Sequence, residues 1–277
     1  MSGRVDLHVH TTASDGQYSP TEIVRRALDV GLTTIAITDH DTTEGVAEAL
    51  DAARGTRLEV IPGVEISTDV WRSELHVVGY YIDHGDPSLC SRLALFRDSR
   101  LDRAQRMVAK LNRMGLPVAW DRVQEIAGEA AVGRPHIARA MLEEGHISSL
   151  DEAFDLYIGR NGPAYAERFK LSPAEAVRTI LSANGLPVLA HPLHVQRMVP
   201  ELVEAGLIGL EVYYPGYSPD ETRFLCRLAS KYGLIITGGS DFHGEDVQPA
   251  NELGGVPVPQ VVAENLRARQ ENLRALA

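Results

Sequence analysis

His8 and His10 stand two residues apart in Val5-Asp6-Leu7-His8-Val9-His10. On an extended strand alternate side chains share a face, so these imidazoles project together and can grip one metal ion. Other residues of ligand type recur near short apolar runs. Asp39-His40-Asp41 follows one such run, Glu65 ends another, His76 lies inside a third, and Ala190-His191-Pro192 and Ser240-Asp241-Phe242-His243 repeat the pattern. Asp15 sits five residues after His10, in Thr11-Thr12-Ala13-Ser14-Asp15-Gly16. Each has an ordinary explanation by itself: a half-buried strand histidine, a turn aspartate, or a helix cap at Asp41 or Thr42. Together they are best explained by one polymetal site. Mixed imidazole and carboxylate ligation suits Mn²⁺, Fe²⁺ or Zn²⁺. Neighbouring ions that share a carboxylate lower the pKa of a bound water and clamp phosphoryl oxygens, the chemistry of a hydrolase. The sequence contains neither a GxSxG elbow nor a reactive-cysteine signature, so no protein nucleophile is expected.

These residues need elements to hold them. Residues 4–10 read as a strand, and Ser19-Pro20-Thr21-Glu22 then starts a helix, with Ser19 as N-cap, Pro20 first and Glu22 closing a capping box. That helix runs to residue 30, where Gly31 ends it. Residues 33–38 form the next strand and 43–54 the next helix, and 58–61, 75–81, 187–190, 209–213 and 234–237 supply further strands. Such alternation predicts a parallel sheet closed into a barrel, with function at the C-terminal ends of its strands. Residues 98–170 break the rhythm. Ala104, Met107, Val108, Leu111 and Met114 recur at helical spacing over 100–114, and further helices are expected over 135–144 and 149–157. The expected fold is thus an α/β barrel from 1–97 and 171–277, carrying an inserted helical cap at 98–170.

The 277 residues are 44 % hydrophobic and 23 % charged, enough to bury a substantial core. The net charge of −11 argues against broad binding to duplex DNA, but bound cations would still admit an anionic substrate. Cys90 and Cys226 form no metal or disulfide pattern, and no apolar run is long enough to span a bilayer. A soluble cytoplasmic protein with no membrane partner is the expectation; the oligomeric state is left open.

Asp6-Leu7-His8-Val9-His10, Thr38-Asp39-His40, Glu65, His76, Ala190-His191-Pro192 and Ser240-Asp241-Phe242-His243 together resemble the motifs of the polymerase and histidinol phosphatase (PHP) family. The resemblance implies a distorted (β/α)₇ barrel holding three divalent ions, with manganese expected and zinc or iron as alternatives. Carried over by position, His8, His10, Glu65 and Asp241 would hold the first ion. Glu65 would bridge to a second, completed by His76 and His191, and Asp15, His40 and His243 would hold the third. Asp39 would orient a ligand from behind. His243, His194 or a metal-bound water would protonate the leaving group.

Further stretches, including Pro62-Gly63-Val64-Glu65-Ile66-Ser67, Arg100-Leu101-Asp102-Arg103-Ala104-Gln105 and Gly133-Arg134-Pro135-His136, resemble nucleoside 3′,5′-bisphosphate phosphatases and the related 5′–3′ exoribonucleases. In such enzymes the cap supplies cations to the phosphate that is not cleaved. Arg134 and His136 flank a proline at a helix start, where free N–H groups and the helix dipole favour an anion. Arg100 and Arg103 are further candidates, their alternative being a solvated helix face, and Tyr165 could stack on a base. The expected substrate is a phosphorylated nucleotide or a short RNA 5′ end. The favoured reaction converts a nucleoside 3′,5′-bisphosphate to the 5′-monophosphate and phosphate, and the alternative is 5′–3′ trimming of short RNA. Amidohydrolases also open with HxH and cleave C–N bonds, but many need a strand-end lysine, and Lys110, Lys170 and Lys231 follow no expected strand. Histidinol phosphate would leave an arginine-rich cap without a second phosphate to bind. A non-catalytic docking barrel is the remaining reading, and an intact ligand set disfavours it.

Overall fold

The computed structural model describes residues 4–70, 73–128, 132–167 and 171–276; the Arg100 side chain and Lys170 lie outside the described residues. The chain divides into two compact units, one within Met1–Val70, Glu74–Ser91 and Leu171–Ala277 and the other within Arg92–Lys170.

The first unit is a mixed α/β fold. Its seven strands follow one another in a single sheet in chain order: β1 (Arg4–Val9), β2 (Leu32–Ile37), β3 (Glu59–Val70), β4 (Ser73–Tyr80), β5 (Leu186–Leu189), β6 (Gly209–Tyr213) and β7 (Ile235–Gly238). β1, β2 and β3 pair in parallel, as do β5, β6 and β7. One departure from the sequence-based expectation is that β4 runs antiparallel to β5. β3 ends at Val70 and β4 begins at Ser73, and so short a link can only reverse the chain, because a parallel return needs a dozen or more residues. A second is that β3 runs well beyond the expected 58–61, so Glu65 lies inside the strand rather than at its end.

The first helix between strands forms where its capping chemistry puts it. Helix α1 (Pro20–Asp29) begins with the Ser19–Glu22 capping box and Pro20 at its first position, and the left-handed Gly31 follows its end. Helix α2 (Glu44–Ala53) covers the same side, so Val9, Ile23, Val24, Ala27, Ile35, Val46 and Ala49 form one buried layer. A second layer gathers Leu7, Ala36, Ile61, Tyr80, Leu186 and Val188 with Val262 and Leu266 of the C-terminal helix at Gln260–Leu276.

The second unit is helical. α3 (Pro87–Arg113) starts before the boundary read from the sequence and runs into this unit. It is followed by α4 (Trp120–Ala127), which the sequence reading did not anticipate, α5 (Arg134–Glu143) and α6 (Leu150–Ala153), which passes into a π-turn at Phe154–Ile158. Ala104, Met107, Val108 and Leu111 pack with Val123, Ile137 and Met141 in the unit's own core. Met114, at the expected helical spacing, is instead 41 % exposed, because α3 ends at Arg113. Among the described residues no helix is long and apolar enough to cross a membrane.

Candidate metal centre

His8 near the end of β1 and His10 just beyond it are fully buried on one face. Both direct Nε2 at the same two oxygens. His8 Nε2 lies 3.2 Å from Glu65 Oε2 and 3.3 Å from Asp241 Oδ1, and His10 Nε2 lies 3.3 Å and 3.2 Å from them. The i, i+2 spacing therefore does bring the pair onto one target.

Glu65 is the hub. Its Oε2 also faces His40 Nδ1 at 3.2 Å, while Oε1 faces His76 Nδ1 at 3.0 Å and His191 Nε2 at 3.3 Å. Asp15 completes the far side: its oxygens lie 3.3 Å from His243 Nε2, 3.7 Å from His10 Nδ1 and 3.9 Å from His40 Nε2. Three overlapping sets have one ligand atom per residue within 4.8 Å of one another: His10, Asp15, His40 and His243; His8, His10, Glu65 and Asp241; and His40, Glu65 and His76. Every residue assigned to an ion from the sequence is in this cluster, with His191 reaching it through Glu65.

The donor set fits divalent cations. His8 Nε2, both His10 nitrogens, Asp15 Oδ1, Glu65 Oε2 and His76 Nε2 are buried without a hydrogen-bond partner. Leaving so many polar atoms buried and unpaired is costly, and cations among them would remove that cost. The electrostatics agree. Burial opposes charge on Glu65, Asp15 and Asp241, yet surrounding histidines hold all three carboxyls well below the usual range. Burial likewise opposes charge on His8, but Glu211, Glu65 and Asp241 raise it well above its ordinary value. Burial lowers His40, with His10 and His76 adding to the effect, whereas Asp15 and Asp241 outweigh burial at His243 and push it up to about 10.

Backbone geometry marks the same place. His191 (φ 30), Asp241 (φ 52) and Asp41 (φ 52) are non-glycine residues in the left-handed region, a conformation that persists only where neighbours hold it. Asp39 is fully buried, and Thr11 N–H (2.7 Å), Thr11 Oγ1 (2.8 Å) and Ser14 Oγ (2.6 Å) all donate to it. It thereby holds the loop that leads to Asp15. His194 is exposed, in a short 3₁₀ turn after His191.

Three contributors were not singled out from the sequence. Glu211, 1 % exposed, lies 2.9 Å from His8 Nδ1 and accepts the His191 N–H at 2.8 Å. Asp6 accepts from Ser240 N–H and Oγ and from Gly254 N–H, fixing the segment that carries Asp241. Tyr214 Oη donates to Asp241 Oδ2 at 2.7 Å, leaving Oδ1 toward His8 and His10. The available signal was a lone carboxylate inside an apolar strand, as in Leu210-Glu211-Val212 and Val5-Asp6-Leu7.

The residues expected to bind a second phosphate lie in the helical unit. Arg134 is the first residue of α5, with its guanidinium 5.6 Å from the Phe154 ring centre, and His136 Nδ1 accepts the Gly133 N–H at 2.9 Å. Arg103 is not on a solvated face: it is 6 % exposed, its guanidinium 5.5 Å from the Tyr165 ring.

Comparison with known proteins agrees with this geometry. The PHP domain model matches residues 6–156. The chain is 38 % identical over 248 residues to the 5′–3′ exoribonuclease Rnm of Escherichia coli, covering 86 % of this chain and 84 % of that one. It is 32 % identical over 278 residues to the 3′,5′-nucleoside bisphosphate phosphatase of Chromobacterium violaceum, covering 96 % and 97 %. A solved structure from Bifidobacterium adolescentis superposes with a TM-score of 0.85 at 30 % identity over 97 % of each chain.

Proposed function

The chain belongs to the PHP domain family and is a metal-dependent phosphoesterase, and from that premise we propose that it removes the 3′-phosphate of nucleoside 3′,5′-bisphosphates. The products are a nucleoside 5′-monophosphate and inorganic phosphate. The observation that carries this reading is the buried Glu65 hub with its three overlapping ligand sets, in a chain aligned end to end with a bisphosphate phosphatase. A (β/α)₇ barrel with a helical cap is the architecture it implies, and the Val9–Phe242 bridge and the His10 N–H to Phe242 carbonyl bond (3.0 Å) support closure of the sheet.

In this reading three divalent ions, manganese by preference, are held by His8, His10, Glu65 and Asp241, by Glu65, His76 and His191, and by Asp15, His40 and His243. Ions bound there supply an activated water and neutralise charge on the phosphoryl oxygens. The chain's own residues do the rest. Asp39 keeps the Asp15 loop in place, and Asp6 does the same for the Asp241 segment. His243 Nδ1 lies 2.9 Å from the Asp241 carbonyl, which can only accept, so Nδ1 carries the proton and Nε2 is the ligand atom. With His243 so engaged, the exposed His194 is the side chain proposed to protonate the departing 3′-oxygen. Arg134, His136 and Arg103 bind the 5′-phosphate, and Tyr165 stacks on the base. In this reading the enzyme works in the cytoplasm.

The second reading, stepwise 5′–3′ hydrolysis of short RNA, is favoured by the identity to Rnm. The two separate in one experiment: kcat/KM for adenosine 3′,5′-bisphosphate against a 5′-phosphorylated trinucleotide on the same Mn²⁺-loaded preparation. A bisphosphatase turns over the mononucleotide with the higher kcat/KM, and the reverse order rejects the proposal in favour of RNA.

A further inference from the structure

We infer that Glu211 is a positioning residue: it holds the protons of two ligands at once and so fixes the nitrogen that His8 offers to a cation. The inference deepens the metal-centre reading above and rests on it, but not on the choice of substrate.

Glu211 is the third residue of β6, flanked by the apolar Leu210 and Val212, and is 1 % exposed. A carboxylate in that position needs partners to justify its burial. It has two, one on each oxygen. Oε1 lies 2.9 Å from His8 Nδ1, and Oε2 accepts the backbone N–H of His191 at 2.8 Å. The remaining His8 nitrogen, Nε2, is the one that faces Glu65 Oε2 and Asp241 Oδ1 and has no hydrogen-bond partner. A cation taken up there occupies the Nε2 lone pair, so the ring's one remaining proton sits on Nδ1 and needs an acceptor. The His191 N–H also needs one, in a residue held at φ 30 and ψ 57. Glu211 thus answers two obligate donors with two acceptor oxygens. One ligand comes from β1 and the other from the turn after β5, so a single carboxylate ties together two parts of the centre.

The amide isostere separates this role from packing. Glu211→Gln keeps size and shape but offers a single acceptor oxygen, so one of the two donors is left facing an NH₂ group. The probe is Zn²⁺ alone, a diamagnetic ion, titrated by calorimetry against a competing chelator with no substrate present. The expected result is a 10–100-fold weaker Zn²⁺ affinity for at least one ion, about the range seen on removing such outer partners. In ¹⁵N-histidine-labelled, Zn²⁺-loaded wild type, His8 shows an Nδ1-bound proton protected from exchange. In E211Q either that signal or the protection of the His191 N–H is lost, according to which donor the amide's NH₂ group faces.

Wild-type affinity together with a retained His8 Nδ1–H signal in E211Q overturns the inference. So does a wild-type His8 whose Nδ1, rather than Nε2, binds Zn²⁺, a result that needs no variant to fold. Loss of Zn²⁺ affinity in E211Q from a protein inactive on bisphosphates would sustain the role of Glu211 and reject only the substrate.

Discussion

Five imidazoles face the two oxygens of Glu65, all within 3.3 Å, and nothing smaller than that residue explains the centre. Its consequences are visible in pH. The depressed carboxyls of Asp15, Glu65 and Asp241 contribute stability above the usual carboxylate range, and that contribution is lost as pH falls through their folded values. His243 has the opposite sign. Its folded value of about 10 exceeds the ordinary 6.5, so its contribution is complete below 6.5 and is lost as pH rises toward 10. The chelator-treated protein should therefore melt at lower temperature at pH 9 than at pH 6.5. Added Mn²⁺ should stabilise it more at pH 9 than at pH 6.5, because protons no longer compete for the same nitrogens. Paired thermal scans at the two pH values read both trends, and a metal effect that shrinks with pH would contradict them. At this scale the residues that cluster around Glu65 were legible because histidines and carboxylates at the ends of apolar runs are rare without cause. Glu211, Asp6 and Tyr214 were not, because what they do depends on which backbone N–H or carboxylate the fold sets opposite them.

Elements position these side chains by close approach as much as by direction. Gly239, just after β7, sits against β1: a Cβ there would lie 2.4 Å from His8 Cβ and 2.4 Å from His8 N. Backbone cannot yield as a flexible side chain can. Gly239→Ala should cost at least about 1–3 kcal/mol of stability, the usual range for overpacking, and should weaken metal binding by displacing His8. Denaturant unfolding with and without Mn²⁺ measures both, and unchanged values would mean that β1 and the end of β7 are free to separate. Most elements could be read in advance, since Ser19-Pro20-Thr21-Glu22 and Gly31 bound α1 as their chemistry dictates. The reversal at β4 could not, because residues 75–81 look alike whichever way the strand runs. Only the shortness of the link after β3 decides it. α4 was missed because its eight residues are too few for helical periodicity to stand out.

On the scale of the whole molecule, a chain of net charge −11 devotes one unit to anionic and imidazole ligands and places Arg103 and Arg134 in another. If the second unit binds the phosphate that is not cleaved, Arg134→Ala should raise KM for adenosine 3′,5′-bisphosphate with little change in kcat. A hydrogen bond to a charged group is worth about 1.5–3 kcal/mol, so the rise should be roughly ten- to a hundredfold. Adenosine 3′-monophosphate, which lacks the 5′-phosphate, should respond little to the same substitution, and an equal effect on both would remove Arg134 from substrate binding. The division into two units was legible because the strand rhythm stops where the helical core of Met107, Leu111 and Ile137 begins. Its starting point was not, since α3 runs unbroken from one unit into the other.

The most direct measurement is product identification from adenosine 3′,5′-bisphosphate, comparing Mn²⁺-reconstituted protein with the same protein stripped of metal. Metal-dependent release of one phosphate, leaving adenosine 5′-monophosphate, is the expected result. Release of adenosine 3′-monophosphate, or intact substrate with all metal sites filled, would contradict it.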